Sequence, residues 1–409
     1  MSNPIRLLHF ADVHVGMENY GRLDLDSGTS TRVRDFLDRM DEVIDYGINN
    51  KADIAIFAGD AFKTRDPNPT QQREFATRLK RLADHMPLLV LVGNHDVPGM
   101  ASKASSVDIF KALDVPNVIV GNEPTGEVVD TRSGPVFLAW MPYPMRNRLL
   151  TKDQYQGKSL HDLDLALQTA VVTIIKDLAG KAIEYDMPRV LSSHLSVSEA
   201  KLGSERSVML GKDVSIGKSV LNDQVWDYVA LGHIHKHQDV NSGSYPGIVY
   251  SGSLERIDFG EEKDSKGFCW IELEREKTVW KFVQVDARPF LTIRVDVRDH
   301  EEPTTAILSS ISAHDIKDVV IRLMINIKSQ NVQLLRDNDI VAALSDAHSY
   351  SINKDVEHEA RTRIGGVAAE TLSAKELLEH YLVDKGYISE RIKTLLTAAN
   401  NIFQNDTKS

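Results

Sequence analysis

Fourteen histidines occur in 409 residues, and five of them, His14, His95, His194, His233 and His235, stand in short turns containing Gly, Asp or Ser. The turns read Asp12-Val13-His14, Gly59-Asp60, Gly93-Asn94-His95-Asp96, His194, and Gly232-His233-Ile234-His235. Imidazole and carboxylate together suit first-row divalent cations, and the thiolates that favour structural zinc are missing from these turns. In Asp12-Val13-His14 and His233-Ile234-His235, alternate residues project the same way from an extended backbone, so each pair addresses one cluster. The glycines ahead of Asp60, Asn94 and His233 permit unusual dihedrals and close approach. Two ions roughly 3.5–4 Å apart need a shared ligand, which a carboxylate such as Asp60 can supply.

The elements that must position these groups alternate in type. A β-type run at 5–10 precedes a helical pattern over 31–50, with Val33, Phe36, Leu37, Met40, Val43 and Ile44 at helical spacing. Strands at 53–58 and 87–92 flank a helix over 71–85, and the second of these is a nearly continuous apolar run of the kind a fully buried strand shows. A β-α-β-α-β order follows. Further strands are expected at 118–120, 135–141, 190–193 and 228–231, with a helix over 163–178 and an antiparallel run through 247–253, 267–273 and 278–285. Each of the five chemical turns begins where a strand runs out. Strand ends on one edge of an α/β sheet converge, so these distant side chains are expected to meet. Turn aspartates and satisfied loop histidines would have to produce five such strand ends by coincidence.

Length implies two or three domains. The first is expected over 1–286. A second, small α+β domain over 287–356 carries no catalytic-type motif; a connector at 357–371 with Gly365-Gly366 follows, and then two short helices within 372–409. Ser373 with Glu376 makes a capping box for the first of these helices. The net charge of −11 argues against coating nucleic acid by bulk electrostatics and leaves local contact with a polyanion open. Apolar runs fall short of the roughly 20 residues that span a bilayer, so no membrane segment is expected. The amino terminus lacks the pattern of a secretory signal, and a cytoplasmic protein is expected. The single cysteine, Cys269, sits between Phe268 and Trp270 as in a packed strand.

The series "LLHFADVHVG", "FAGDAF", "LVGNHD", "LGHIHKHQ" and "YSGSLERIDFGEE" resembles the signature of the calcineurin-like metallophosphoesterases. Within them it is similar to the DNA double-strand-break repair nucleases, the bacterial SbcD subunit and the meiotic recombination eleven nucleases. The resemblance covers roughly 5–275, and beyond Arg288 rests on domain order. It implies a four-layered α/β/β/α sandwich with an α+β capping domain and a helical tail. It also implies that Asp12, His14, Asp60 and His235 hold one ion, that Asp60, Asn94, His194 and His233 hold the other, and that both ions are manganese. Water activated there would attack phosphorus in line. His95 resembles the family's non-ligand histidine, which stabilises the pentavalent state or protonates the leaving 3′ oxygen, with Asp96 orienting it.

The activity so implied is that of a DNA nuclease, both a 3′→5′ double-strand exonuclease and a single-strand endonuclease. It would act at DNA ends, at the nucleoid, as a homodimer with an SMC-like ATPase of the SbcC type docked on the carboxy-terminal helices. A small-molecule phosphodiesterase or phosphatase on the same site is the rival enzyme, and a scaffold that has lost its metals is the rival outside enzymes. The region after Arg288 favours the nuclease over the first rival, and the full ligand set argues against the second. Lys63 stands where several relatives have a histidine, and either contacts phosphate or faces water. His237 could extend the His233-His235 edge or lie in solvent. Arg146, Arg148 and Lys152, and likewise Lys201, Arg206, Lys212 and Lys218, either touch a DNA backbone or form solvated faces. Tyr20 and the loop 21–30 are placed at a substrate rim.

Overall fold

The structure is a computed structural model describing residues 3–25, 28–97, 103–149, 157, 159–203, 213–357 and 374–406. Lys152, Arg206, Lys212, Ser373 and the connector at 358–371 lie outside the described residues, as do the side chains of Arg148, Ile402 and Phe403. The chain divides into two compact units. The first comprises Met1–Ile293, Asp315–Arg322 and Leu344–Ser351; the second comprises Arg294–His314, Leu323–Ala343 and Ile352–Ser409.

In the first unit, β1 (Ile5–Phe10), β2 (Ile54–Phe57), β3 (Leu88–Leu91) and β4 (Val118–Gly121) run parallel in sequence order. A second series follows: β5 (Thr125–Thr131), β6 (Gly134–Met141), β7 (Arg189–His194), β8 (Ser196–Val197), β9 (Ser215–Ile216), β10 (Tyr228–Gly232), β11 (Gln238–Asp239) and β12 (Gly247–Tyr250). The antiparallel strands β13 (Gly267–Leu273) and β14 (Val279–Gln284) return to the first sheet. The two large sheets have the orders β14-β13-β1-β2-β3-β4 and β11-β12-β10-β7-β6-β5.

Side-chain alternation along these strands sets the layering. From β1, Leu8 and Phe10 join Phe57 and Val90 under helices Thr31–Asn49 and Pro69–Ala83, whose Val33, Leu37, Met40, Val43, Phe75 and Leu79 face them. The intervening Ile5 and Leu7 point the other way, into a core shared with Leu138, Val190, Tyr228 and Val249 of the second sheet. The far face of that sheet buries Phe137, Leu191, Val229 and Leu231 against Val171, Ile175 and Leu178 of helix Leu160–Ala182. Helix, sheet, sheet, helix is the expected four-layered order.

Local signals explain where the helices begin. Asn68 and Gln71 form a reciprocal capping box ahead of Pro69, so that helix starts two residues before the apolar periodicity does, and Ser159 with Asp162 does the same for helix Leu160–Ala182. The sequence reading missed β5. It is a polar, partly exposed edge strand whose pairing with β6, Thr125↔Trp140 through Thr131↔Gly134, is what makes it a strand. Cys269 is buried in β13, where burial pushes its thiol up to about 12.

Strands β15 (Phe290–Asp296), β16 (Val320–Lys328) and β17 (Ser349–Glu357) form a three-stranded sheet. In the second unit, helices Ala374–Asp384 and Ser389–Asp406 pack Leu378 and Leu382 on Ile392, Leu395 and Leu396. This mutual core leaves Tyr381, Val383, Tyr387 and Ile388 exposed.

A buried ion network braces the first helix. The fully buried Arg32 donates to Asp35 at 2.6 Å and to the Arg256 carbonyl at 2.5 Å, with Glu255 at 3.7 Å. Arg288 donates to both Asp35 oxygens, at 2.6 and 2.5 Å. Burial alone would raise the Asp35 carboxyl, but the Arg288 hydrogen bonds and the Arg32 charge outweigh it and hold the group below its ordinary value. Its contribution to stability is therefore complete above the ordinary aspartate range and is lost as pH falls from that range through the lowered folded value. Arg32→Ala removes the buried cation beside Glu255 and one of the two that hold Asp35. It is expected to cost about 3–5 kcal/mol, read as a lower urea midpoint at unchanged slope.

Candidate metal centre

The parallel strands of both sheets end on one edge, and register sets the neighbours there. Gly232 at the end of β10 pairs with His194 at the end of β7, which brings His233 beside His194. Beyond β1 and β2 the chains stay paired, with the Asp12 amide on the Gly59 carbonyl at 2.9 Å and the His14 amide on the Asp60 carbonyl at 3.1 Å. The chain in these turns is not extended. Asp12, His14, Asp60 and His233 all have positive φ, at 53, 48, 62 and 97°, so sharp left-handed turns, and not strand alternation, aim their side chains inward. The preceding glycines allow close approach: a Cβ on Gly93 would lie 2.1 Å from Asp60 Oδ1, and one on Gly59 2.4 Å from His194 Nδ1.

Asp12, His14, Asp60, His194 and His233 are buried, and with His95, Asn94 and His235 they meet in one place. Three overlapping groups have ligand atoms within 4.8 Å of one another: Asp12, His14 and His235; His14, Asp60 and His95; Asp60, His194 and His233. His14 Nε2 faces His235 Nε2 at 3.0 Å, with Asp60 Oδ2 at 3.7 Å. On the other side Asn94 Oδ1 stands 2.9 Å from His194 Nε2 and 2.8 Å from His233 Nδ1, with Asp60 Oδ1 3.5 Å from His194.

The opposite ring nitrogens decide what these atoms can do. His194 Nδ1 donates to the Ala58 carbonyl at 2.7 Å, His235 Nδ1 to Glu261 at 2.9 Å, and His233 Nε2 to Asp213 at 2.8 Å. With those protons assigned outward, His194 Nε2, His235 Nε2 and His233 Nδ1 direct lone pairs into the cluster. The His235 Nε2 lone pair faces His14 Nε2 at 3.0 Å, a contact that a cation or a proton between the two nitrogens satisfies. The donor set of imidazole nitrogens, carboxylate oxygens and an amide oxygen fits divalent first-row cations. Asp12, His14, Asp60 and His235 would hold one, and Asp60, Asn94, His194 and His233 the other; bound there, cations supply Lewis acidity toward a phosphoryl oxygen and activate water.

The electrostatics ask for positive charge. Burial raises the Asp12 carboxyl and pushes the His14 ring well below its ordinary value. Burial also works against a charge on His194, yet Asp60 beside it and Asp12 beyond raise that ring to about 9. Asp60 itself is held well below the carboxylate range, against burial, by His194, His95 and His14.

The expected pairing of Asp96 with His95 is corrected. The fully buried Asp96 carboxylate accepts the amides of Gly93 and Asp60 at 2.9 Å and of Ala61 at 3.0 Å, and so clamps the two metal-site turns together. Three backbone donors at short range outcompete a ring that points away. Burial, with Asp60 alongside, pushes Asp96 up to about 6. The His95 ring is oriented by the Lys63 carbonyl, 2.7 Å from Nδ1, while its own amide donates to Asp60 Oδ1 at 2.8 Å. Lys63 thus acts through its backbone, and its side chain is half-buried.

His237 neither joins the edge nor lies in solvent. It stacks on Phe282 with centroids 4.0 Å apart and hydrogen-bonds the Tyr250 carbonyl at 2.9 Å. The Tyr20 ring packs edge-on against Phe259 and Phe290, and Arg146 is paired with Asp164. Sequence reasoning missed Asp213, Tyr143 and Glu261. Glu261 lies inside the segment "YSGSLERIDFGEE", and nothing around Asp213 or Tyr143 marks them. Burial would raise Asp213, but His233, Ser196 and Tyr143 hold it below its ordinary value.

Residues 5–237 match the calcineurin-like phosphoesterase family. The SbcD component of the SbcCD nuclease of Bacillus subtilis is 26% identical over 289 residues, 68% of this chain and 69% of that protein. The SbcD component from Staphylococcus saprophyticus is 23% identical over 360 residues, 87% and 88% of the two chains. The DNA double-strand break repair protein Mre11 of Methanosarcina mazei is 23% identical over 374 residues, 87% of this chain and 49% of that one. With a family match across more than half of its length and a buried nitrogen and oxygen ligand set at the matched strand ends, the chain belongs to the calcineurin-like phosphoesterase family and is a hydrolase of phosphate esters.

Proposed function

We propose that this protein is a manganese-dependent DNA nuclease, a 3′→5′ double-strand exonuclease and single-strand endonuclease that works at broken DNA ends. The observation that carries this is a chain of three ligand groups linked through His14 and Asp60, with His95 in the middle group that contains both links. The relatives named as nuclease components and as a double-strand-break repair protein support the choice of DNA over a small ester. In this reading Asp12, His14, Asp60, Asn94, His194, His233 and His235 hold two Mn2+. In its imidazolium form His95 carries a proton at Nε2 for the leaving 3′ oxygen, while its Nδ1–H is donated to the Lys63 carbonyl. Asp96 serves catalysis by fixing the turns that carry Asp60 and Asn94.

Residues 287–356 serve DNA access, 357–371 link, and 372–409 bind a partner. That partner is an SMC-like ATPase of the SbcC type, and the nuclease is a homodimer at work in the cytoplasm, at the nucleoid. The exposed Tyr381, Val383, Tyr387 and Ile388 beside a finished helix-helix core support a docking role. No helix among the described residues is long and apolar enough to cross a membrane.

The test is cleavage of linear duplex and hairpin DNA with manganese, magnesium or chelator, run beside a small phosphate ester. Manganese-dependent shortening of the duplex is expected. Turnover of the ester alone would establish a small-molecule phosphodiesterase or phosphatase instead. The same assay on a chain lacking 372–409 should show retained cleavage and lost co-purification with the ATPase; a retained complex would refute the docking role.

A further inference from the structure

The three histidines whose outer nitrogens are committed have unequal supports. His194 leans on a neutral carbonyl, that of Ala58. His235 leans on Glu261, whose charge is offset by the fully buried Lys266, with Nζ 2.8 Å from Oε2. His233 leans on Asp213, at 2.8 Å. The other donors to that carboxylate are hydroxyls, Tyr143 at 3.1 Å and Ser196, and among the described residues no lysine or arginine pairs with it. Asp213 is therefore a nearly buried carboxylate whose charge is directed at one imidazole.

Its placement is built by the fold. The pairing of β8 with β9, Ser196↔Ser215 and Val197↔Ile216, sets Asp213, two residues ahead of β9, beside Ser196 and His233. The Ser198 amide extends this pairing to the Ile216 carbonyl at 2.9 Å. Tyr143, from the turn after β6, closes the other side, its ring 5.8 Å from that of His233. Two hydroxyls and one ring thus fix both carboxylate oxygens.

The charge matters because of which ligands it backs. Asp12 and Asp60 both belong to the groups around His14 and His235, whereas the set of Asn94, His194 and His233 carries no carboxylate of its own and shares only Asp60. We infer that Asp213 is the positioning residue of this second cation position. It holds His233 as the Nε2–H tautomer and keeps the Nδ1 lone pair beside Asn94 Oδ1. The inference rests on the two-cation reading above and adds that the two positions depend on different outer carboxylates.

The experiment is calorimetric titration of Mn2+ into metal-stripped full-length protein, with Asp213→Ala, Asp213→Asn, His233→Ala and the double variant Asp213→Ala/His233→Ala. Wild type should bind two ions. Asp213→Ala is expected to weaken one binding step by about 10–100-fold and leave the other in place. Asp213→Asn keeps the shape and an acceptor but not the charge, and should weaken the same step by less, which secures the result if the alanine variant folds poorly. In the His233→Ala background, removing Asp213 should cost nothing further at that step. Two binding steps of wild-type affinity in both Asp213 variants would overturn the inference. So would an equal fall in both steps together with a lowered melting temperature, since the carboxylate would then only brace the fold. Wild type that binds no pair of ions would instead remove the metal-centre reading, and this inference with it.

Discussion

Asp60→Asn should lower phosphodiester cleavage by at least about 10³-fold, while the protein keeps its fold. The expectation comes from how much one carboxylate does. Oδ2 lies 3.7 Å from His14 on one side and Oδ1 3.5 Å from His194 on the other, and Oδ1 also receives the His95 amide at 2.8 Å. Asparagine preserves volume and an oxygen for the His95 amide, so the turn survives. What it removes is the one charge common to both cation positions. Asp60 is buried, so no solvent replaces that charge, and metal assistance worth several kcal/mol is lost. Steady-state cleavage of a linear duplex, paired with metal stoichiometry, checks this: bound Mn2+ should fall from two to at most one. Activity within tenfold of wild type, or two ions still bound, would exclude Asp60 as the shared ligand.

How far such a site can be read from residue order depends on the kind of contact. The strand-end turns were legible because parallel β-sheets place their carboxyl ends together, and Asp12, Asp60, Asn94, His194 and His233 each follow or finish a short apolar run. What was not legible is how those side chains are aimed. A pattern of alternate residues suggested an extended chain at Asp12-Val13-His14, yet both ends of that triplet are left-handed, a state that residues other than glycine adopt uncommonly even though Asp and His are enriched there. The role of Asp96 was hidden for a related reason. Its partners are backbone amides of Gly93, Asp60 and Ala61, and main-chain donors carry no side-chain identity to read.

Long-range packing concealed the rest. Asp213 reaches His233 only because two short strands, β8 and β9, pair Ser196 with Ser215 and Val197 with Ile216, and neither has a run long enough to signal a strand. β5 escaped notice since its Thr, Glu and Asp residues suit an exposed edge. His237 shows the opposite failure: its place one alternate position beyond His235 suggested a shared role, while the aromatic pair Trp280 and Phe282, drawn in by the β13-β14 pairing, packs it against β14 instead.

His95→Ala separates proton delivery from metal binding, and its effect should depend on the leaving group. The His95 amide, not the ring, supports Asp60, so truncating the side chain leaves that hydrogen bond in place and both Mn2+ affinities within a few-fold of wild type. The ring is a different matter. With Nδ1–H donated to the Lys63 carbonyl and the ring lying edge-on to His14 at 4.8 Å, Nε2 of the imidazolium is the atom that would carry a proton to substrate. A 3′ alkoxide is a poor leaving group, and losing general-acid assistance to it costs about 10²–10⁴-fold in kcat. A nitrophenyl phosphodiester leaves without a proton, so on that substrate the same variant should fall by less than about tenfold. An equal deficit on both esters would mean that the ring stabilises the pentavalent phosphorus electrostatically and transfers no proton, because charge stabilisation at the phosphoryl oxygens does not depend on what departs.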